Sequence, residues 1–465
     1  MKFTQEDLRG SRLLWPLCAL IGLSACTHTA ISPQAEDPAA PETWARAGET
    51  GHVVTNWLRD FNDPRLVSLV QETVASNHSL AQERARLAQQ QESVVAARAN
   101  KYPNLDISID STRRGSEAAD GTSIVTSNYA GSAGASWNVD LWGKLSAEQR
   151  ATRLSMEAQR ARVQQAERQL AAGTARLWFA AIQAKTLLAV AERRLENVVQ
   201  SEQIVSSGYR AGLNDALDLY LARNQVDREQ ANLAQQRQRV FEAVADLQLT
   251  LARYPDGRME AESGLPVVND PVPTGLPSEL LSRRADLQEA WLRLLAADAS
   301  LAAAHKSRFP SLVLVGSAGV ASADIADLLQ DGSDSWSLVA GLTQPLFQSG
   351  RLAALERQAA ERVHEVEQQY LELVYTAFAE VEDAISRDVS LRERYESFLD
   401  AEKNSSAALR LALDQYQRGL VTYTTVLESQ RQAFDAEATV VGLRNELLQN
   451  RIDLYLALGG EFSTN

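Results

Sequence analysis

The chain says the same thing twice at one fixed offset. "YRAGL" begins at Tyr209 and "YQRGL" at Tyr416, 207 residues later. The same separation links Gly212 to Gly419, Pro103 in "RANKYPNL" to Pro310 in "HKSRFPSL", Gly143-Lys144-Leu145 to Gly350-Arg351-Leu352, and Asp246-Leu247 to Asp453-Leu454. One offset kept without a gap from Pro103 to Asp246 marks a tandem duplication of a large unit. A solenoid would show a period of about 20–50 residues instead. The copies read as 64–253 and 278–459. Between them a linker, 254–277, carries five of the 13 prolines, and 460–465 is a short tail.

Within each copy the dominant pattern is helical. Asp63 before Pro64 is a helix start, an N-cap followed by Pro at the first helical position, and the helix is expected to run to about 100. Pro103 closes it, since the residue before Pro avoids the helical region. From Leu145 to Ser206 there is no Pro and one interior Gly, Gly173. Apolar residues recur in steps of three, four or seven through Val163, Ala166, Leu170, Leu177, Ala181, Ala184, Leu188 and on to Val205, a coiled-coil seam rich in Ala. At 1.5 Å per residue such a helix spans roughly 90 Å, longer than the roughly 50–60 Å diameter of a compact chain of this length. A turn at Gly208–Gly212 leads into a second helix, Asp215 to Arg253. The long helix hairpins are thus 145–253 and 352–458.

Between the helices lie strand-like pieces. "NLDISIDS" alternates Leu105, Ile107 and Ile109 with Asp106, Ser108 and Asp110, and "SNYAGSAGASWNV" alternates likewise. A polar stretch, "RRGSEAADGTSIVT", is expected as the loop between them. The second copy gives "SLVLVGSAGVA", a polar loop through 322–334 and "SWSLVAGLTQPLF". The β-hairpins are placed at 104–140 and 311–347. Period two with one apolar face is the pattern of an outer-membrane strand. Trp137, Trp142 and Trp336 stand near strand ends, where aromatics anchor at membrane interfaces. Four strands leave open edges, which lipid forbids, so any barrel is shared between chains. Two chains supply eight strands and three supply twelve, and the count does not choose.

The N-terminus reads as an export signal, 1–25: Lys2, Arg9 and Arg12, then the apolar run "LLWPLCALIGL", too short to span a bilayer. "LSAC" follows and resembles a lipobox, with Cys26 as the lipidated first residue of the processed chain. Residues 26–63, with Pro33, Pro38 and Pro41, are expected as an extended tether. Cys18 leaves with the signal, so no thiol is left for a disulfide, metal or nucleophile. Residues 1–25 hold three basic and two acidic groups, so removing them takes the net charge from −14 to −15. That argues against a nucleic-acid partner, whose footprint is clustered basic charge. The five His lie apart, no phosphate loop appears, and Glu380, Glu382 and Asp383 read as a solvated or lumen-facing helix surface. No enzyme and no cofactor is expected beyond the lipid on Cys26.

With "NWLRDFNDPRLVSLV", "SWNVDLWGKL", "TGLPSELLSRRADLQEA", "SRFPSLVL", "QPLFQSGRL", "EVEDAI" and "YQRGLVTYTTVLESQRQA" in view, the chain resembles the TolC/OprM family of outer-membrane efflux proteins, in particular the lipoprotein branch serving resistance-nodulation-division (RND) pumps. It departs at Ala285 in "RRADL", where the family usually has Pro, and at Gln348-Ser349, where it often has Asp and Gly. The resemblance implies a mainly α fold with a membrane β part: duplicated long helix hairpins forming a tunnel, and β-hairpins contributing to a twelve-strand barrel shared by a homotrimer. It implies a palmitate-bearing lipoprotein in the outer membrane and periplasm, working with a periplasmic adaptor and an inner-membrane pump.

The resemblance also assigns sites. Tyr209, Gly212 and Leu213, with Tyr416, Gly419 and Leu420, become the adaptor-docking tips of the two helix hairpins. Its acidic gate positions map from Gly419 onto Thr425 and Glu428, of which only Glu428 is acidic; the first copy has Asp218 and Leu221 there. Arg210 and Arg418 are expected to bridge neighbouring helices near this gate. Two other readings stay open, a lipid-tethered structural coiled coil without a conduit and a duct for protein secretion.

Overall fold

The computed structural model describes residues 40–45, 56–117, 119, 121, 123–259, 264–267, 272–328 and 334–462. Cys26, the export signal and the end of the tail lie outside the described residues. Asp63 opens the first helix as its sequence position requires: its carboxylate accepts from the N–H groups of Arg65 (2.9 Å) and Leu66 (3.1 Å). The single helix expected from 64 to 100 is two, α1 (Pro64–Ser76) and α2 (His78–Ala99). Asn77 causes the break. Its backbone is extended, and its Oδ1 accepts from Ser79 (2.9 Å) and Leu80 (3.2 Å), capping α2. Short polar side chains offer the backbone this alternative to the helical bond.

The chain continues through β1 (Asn104–Glu117), β2 (Ser123–Val139), α3 (Lys144–Arg210), α4 (Ala216–Thr250), one turn α5 (Leu280–Arg283), α6 (Ala285–Lys306), β3 (Ser311–Ser322), β4 (Asp334–Thr343), α7 (Arg351–Gln417) and α8 (Tyr423–Ala457). The duplication holds to the residue: α2 and α6, α3 and α7, α4 and α8 each start and stop 207 residues apart. The α3 and α7 helices have 67 residues each and α4 and α8 have 35. None of the described helices is long and apolar enough to cross a membrane.

Among the described residues, one compact unit comprises 94–154 and 294–367. Its centre is a four-stranded antiparallel sheet in the order β1-β2-β3-β4. The register puts Ile107, Ala133, Ala318 and Trp336 in one row, and Asp106, Gly134, Ser317 and Ser337 in the next. Successive side chains point to opposite faces, so one face is apolar and the other rich in Ser and Asp. On the polar face Ser108 bonds Ser132 (2.9 Å) and Ser317 bonds Ser337 (2.8 Å). The apolar face is bare: Ile107 is 84% and Trp336 81% exposed. The stretch expected as a loop between β1 and β2 is mostly ladder. Arg113 pairs with Ser127 and Glu117 with Ser123, because backbone bonding continues beyond the apolar band. In the same unit Asp140 caps α3 by accepting from the N–H groups of Leu145 and Ser146, both at 2.9 Å.

The other unit comprises residues 39–93, 155–293 and 368–465. Its main core packs Trp178, Phe179 and Ile182 of α3 against Val374 and Val381 of α7 and Ile452 and Tyr455 of α8. Of the expected seam, Val163, Ala181 and Val205 are buried, while Leu170, Leu177 and Ala184 are half-buried. Beside it a second buried stripe runs through Ala171, Ala175, Trp178 and Ile182, where the bulky indole sets the contact. The tether expected up to 63 ends earlier, since Trp57, Leu58 and Phe61, in a short 3-10 turn, are buried in this core. Linker residues Leu265 and Val272 are buried there too. Helix α6 starts firmly despite Ala285. Arg284 ahead of it is buried, bonded to Asp286 (2.7 Å) and Glu380 (2.6 Å). Burial opposes its charge, but these two carboxylates outweigh it and raise its pKa.

Candidate functional site

Both helix reversals close in the same way. Gly212 adopts φ +76°, Leu213 N–H donates to the Gly208 carbonyl (2.9 Å) and Gly212 N–H to that of Tyr209 (3.0 Å). In the second copy Gly419 has φ +70°, Leu420 bonds Gln415 (2.9 Å) and Gly419 bonds Tyr416 (2.9 Å). This paired pattern satisfies the last helical carbonyls and needs a left-handed residue, for which Gly carries no penalty. No atom lies within 4 Å of a Cβ built on either Gly, so conformation alone selects it. The Leu that follows is left bare, 81% exposed at Leu213 and 69% at Leu420.

Beneath the reversals a small core joins all four long helices through Val205, Leu219, Ala222, Ala412, Tyr423 and Val426. It brings together two residues that the sequence reading had given separate roles. The Tyr416 hydroxyl donates to Asp218 Oδ2 at 3.2 Å. Tyr416 also packs against Tyr423, ring centroids 5.3 Å apart. Burial, then the Asp218 charge, pushes the Tyr416 hydroxyl well above the usual phenol range, and burial with Asp218 and Glu202 pushes Tyr423 up to about 12. Tyr209 is not used in this way and is 44% exposed. The position 207 beyond Asp218 is Thr425, which carries no charge and bonds Thr422. Tyr423 and its packing were missed; seven residues before Gln430 on the buried face of α8, it is legible only once that face is known.

The remaining expected gate residues lie on the surface. Glu428 accepts from Arg431 (2.6 Å) and Gln432 (2.8 Å), and the Arg431 bond holds its pKa below the usual carboxylate range. Arg418 pairs with Asp414 one turn back in α7 (2.8 Å), and among the described residues of one chain it bridges no neighbouring helix. Arg210 is exposed at the end of α3. Of the three Trp, Trp336 stands bare on β4, Trp137 Nε1 donates to the Lys101 carbonyl (2.9 Å) and Trp142 Nε1 to that of Pro310 (2.8 Å). Trp142 also packs on Phe309, so it serves the turn between β2 and α3. Sequence reasoning did not find the Asp140 cap, although its counterpart 207 residues on, Phe347, shows that the two copies differ there.

The profile of the family described as "Outer membrane efflux protein" matches residues 69–253 and again 276–460. The chain is 29% identical over 468 residues to the solvent efflux pump outer membrane protein SrpC of Pseudomonas putida, covering 97% of this chain and 98% of that one. It is 28% identical over 471 residues to the cation efflux system protein CusC of Escherichia coli O6:H1, covering 96% and 98%. Among solved structures, the open state of the MtrE outer membrane channel of Neisseria gonorrhoeae superposes with a TM-score of 0.82 at 26% identity, covering 92% of this chain and 97% of that one.

Proposed function

We propose that this chain, which belongs to the outer membrane efflux protein family, works as one of three identical copies in a duct that receives small molecules from a periplasmic adaptor and an inner-membrane pump. The protein is an efflux channel of the outer membrane that extends into the periplasm, and it is no enzyme. The observation that carries the trimeric reading is the four-stranded sheet. One face is apolar and bare, and β1 and β4 each keep an unpaired edge among the described residues. In lipid such edges have to be paired. Three copies joined β4 to β1 give twelve strands, within the range of closed membrane barrels. The apolar face then meets lipid and the Ser- and Asp-bearing face lines the bore.

The duplication supports the other end of the duct. Three chains with two like reversals each present six similar tips, whose bare Leu213 and Leu420 suit an apolar adaptor hairpin. Asp218 and Glu428 belong to the gate behind these tips, with Tyr416 holding Asp218. Cys26 carries the lipid. The names of the relatives concern solvents for one and cations for another; for this chain they support small molecules as a class, and an RND pump as the partner that selects them.

The test is the purified protein in planar bilayers and on a denaturing gel without heating. A heat-modifiable oligomer of three chains with discrete conductance is expected. A soluble, non-conducting monomer after removal of the lipid overturns the reading in favour of a tethered coiled coil.

A further inference from the structure

The first copy contains a cavity that its duplicate has closed. The cavity holds about 490 Å³ and is lined from α1, α3, the end of α4 and the loop after it. Its floor is apolar, with Leu69, Trp178, Val244 and Leu247 each at most 3% exposed. Its polar lining is Gln248 and three guanidinium groups, Arg65, Arg253 and Arg258, with no carboxylate. In a chain of net charge −14 that is a local inversion of sign. Arg253 is forked onto Glu72 outside the cavity, and Arg258 lies near Asp256. Arg65 pairs with no carboxylate among the described residues.

The wall formed by Arg258 and Met259 is held in place. Gln248 Nε2 donates to Asp256 Oδ1 (2.7 Å) and to the Arg258 carbonyl (3.0 Å), while its Oε1 accepts from Gly257 N–H (3.0 Å). Lys185 Nζ donates to the Met259 carbonyl (2.5 Å). Gly257 has φ +68°, and a Cβ there would fall 2.2 Å from the Phe241 ring, so the ring lies on bare backbone. A site whose walls are already fixed loses little entropy when a ligand enters.

The duplicate shows what such a space accepts. At the positions 207 beyond Arg65, Trp178, Gln248 and Arg253 stand Val272, Ile385, Tyr455 and Gly460. There Tyr455 stacks on Trp57, centroids 5.8 Å apart, and a Cβ on Gly460 would lie 3.5 Å from the Trp57 ring. In the second copy the place is filled by Trp57, from the segment ahead of the first copy; Val272 and Gly460 stand at the positions of Arg65 and Arg253, and Arg451, at the position of Val244, lies over the Tyr455 ring (5.5 Å). The first copy keeps the space open and the charges at its mouth.

We propose that this cavity binds an amphipathic organic anion: a flat apolar body bearing one carboxylate or sulfonate. The body rests on Val244, Leu247 and Trp178, and the anion meets Arg65 and Arg258, whose planar forks match a carboxylate. The volume falls within the range of small-molecule sites, about 300–1,000 Å³.

The probe is indole-3-acetate, compared with its neutral isostere indole-3-acetamide, titrated calorimetrically into the purified detergent-solubilised oligomer. The acid should bind saturably at one site per chain, and the amide at least about tenfold more weakly. The double variant Arg65→Gln, Arg258→Gln and the cavity-filling Met259→Trp should each weaken the acid by at least about tenfold with an unchanged melting temperature. No saturable binding, equal binding of acid and amide, or an affinity unchanged in the two variants overturns the proposal. Binding is read without transport, so a failure of the conduit reading leaves this result intact.

Discussion

Tyr416, in the last turn of α7, donates its phenolic proton to Asp218, in the first turn of α4, across 3.2 Å and 198 residues of chain. The bond fastens the tip of one repeat to that of the other. Burial and the Asp218 charge keep the phenol protonated, so the donor persists at any physiological pH. Tyr416→Phe deletes one hydrogen bond to a charged acceptor, about 1.5–3 kcal/mol. In the proposed gate that shifts a closed–open equilibrium about tenfold or more. Single-channel recording should show a higher open probability, with a modest drop in melting temperature because the ring packing on Tyr423 remains.

Ala252 and Gly459 occupy equivalent places after α4 and α8, and both are left-handed, at φ +55° and +69°. Ala carries a penalty there of about 1–2 kcal/mol that Gly avoids, partly offset by the greater freedom of Gly when unfolded. Ala252→Gly should therefore stabilise by up to about 1 kcal/mol. Gly459→Ala should destabilise by more than the conformational term, since its Cβ would sit 3.0 Å from the Arg283 carbonyl carbon. Thermal melts of the two variants check the opposite signs.

What could be read in advance was what repeats or is local. The 207-residue offset carries over to the ends of six helices. Asp63-Pro64 and the two reversal glycines act through neighbours two to five residues away. The Tyr416–Asp218 bond could not be read, because the duplication suggests equivalent roles and only one copy has the acid. Nor could the three bonds of Gln248, which are made to a loop with no pattern of its own. The stripe through Trp178 and Ile182 was not read beside the seam of Ala181 and Val205, because α3 is apolar on more than one side and packing adds what periodicity does not separate.

Ile107 and Ser108 are neighbours on opposite faces of β1, both exposed in the single chain. In the proposed barrel Ile107 meets lipid and Ser108 the bore. Ile107→Lys should cost about 2–4 kcal/mol near mid-membrane, while Ser108→Lys should be tolerated. The yield of heat-modifiable oligomer in outer-membrane fractions is the measure. Equal loss in both variants contradicts the assignment of faces.

Glu356 accepts from His305 Nδ1 and from Arg308, each at 2.7 Å. The His305 bond, opposed by burial and assisted by Arg308, holds its carboxyl below the usual carboxylate range. A carboxyl whose folded pKa is depressed stabilises fully above its unfolded pKa, about 4.3, and loses that stabilisation as pH falls through the folded value. Melting temperature should thus drop on acidification below about pH 4, and Glu356→Gln should flatten that acid limb while lowering stability at pH 7 by about 1 kcal/mol. A variant that keeps the full acid limb rules out this contribution.

The proposed gate predicts an effect of multivalent cations. Threefold repetition turns each inward carboxylate into a ring of three, and clustered like charges attract cations. The two acids are not equally available. Asp218 is engaged by one neutral donor, Tyr416, whereas Glu428 is bonded by the Arg431 guanidinium, which also reaches Asp435 (3.4 Å). Arg431 therefore cancels much of the charge that Glu428 presents. Trivalent cations on the periplasmic side should block single channels of the purified oligomer. Asp218→Ala should weaken the block more than Glu428→Ala does, and Arg431→Gln should strengthen it by exposing Glu428. Block that persists unchanged in the Asp218→Ala, Glu428→Ala double variant removes these carboxylates from the conduction path.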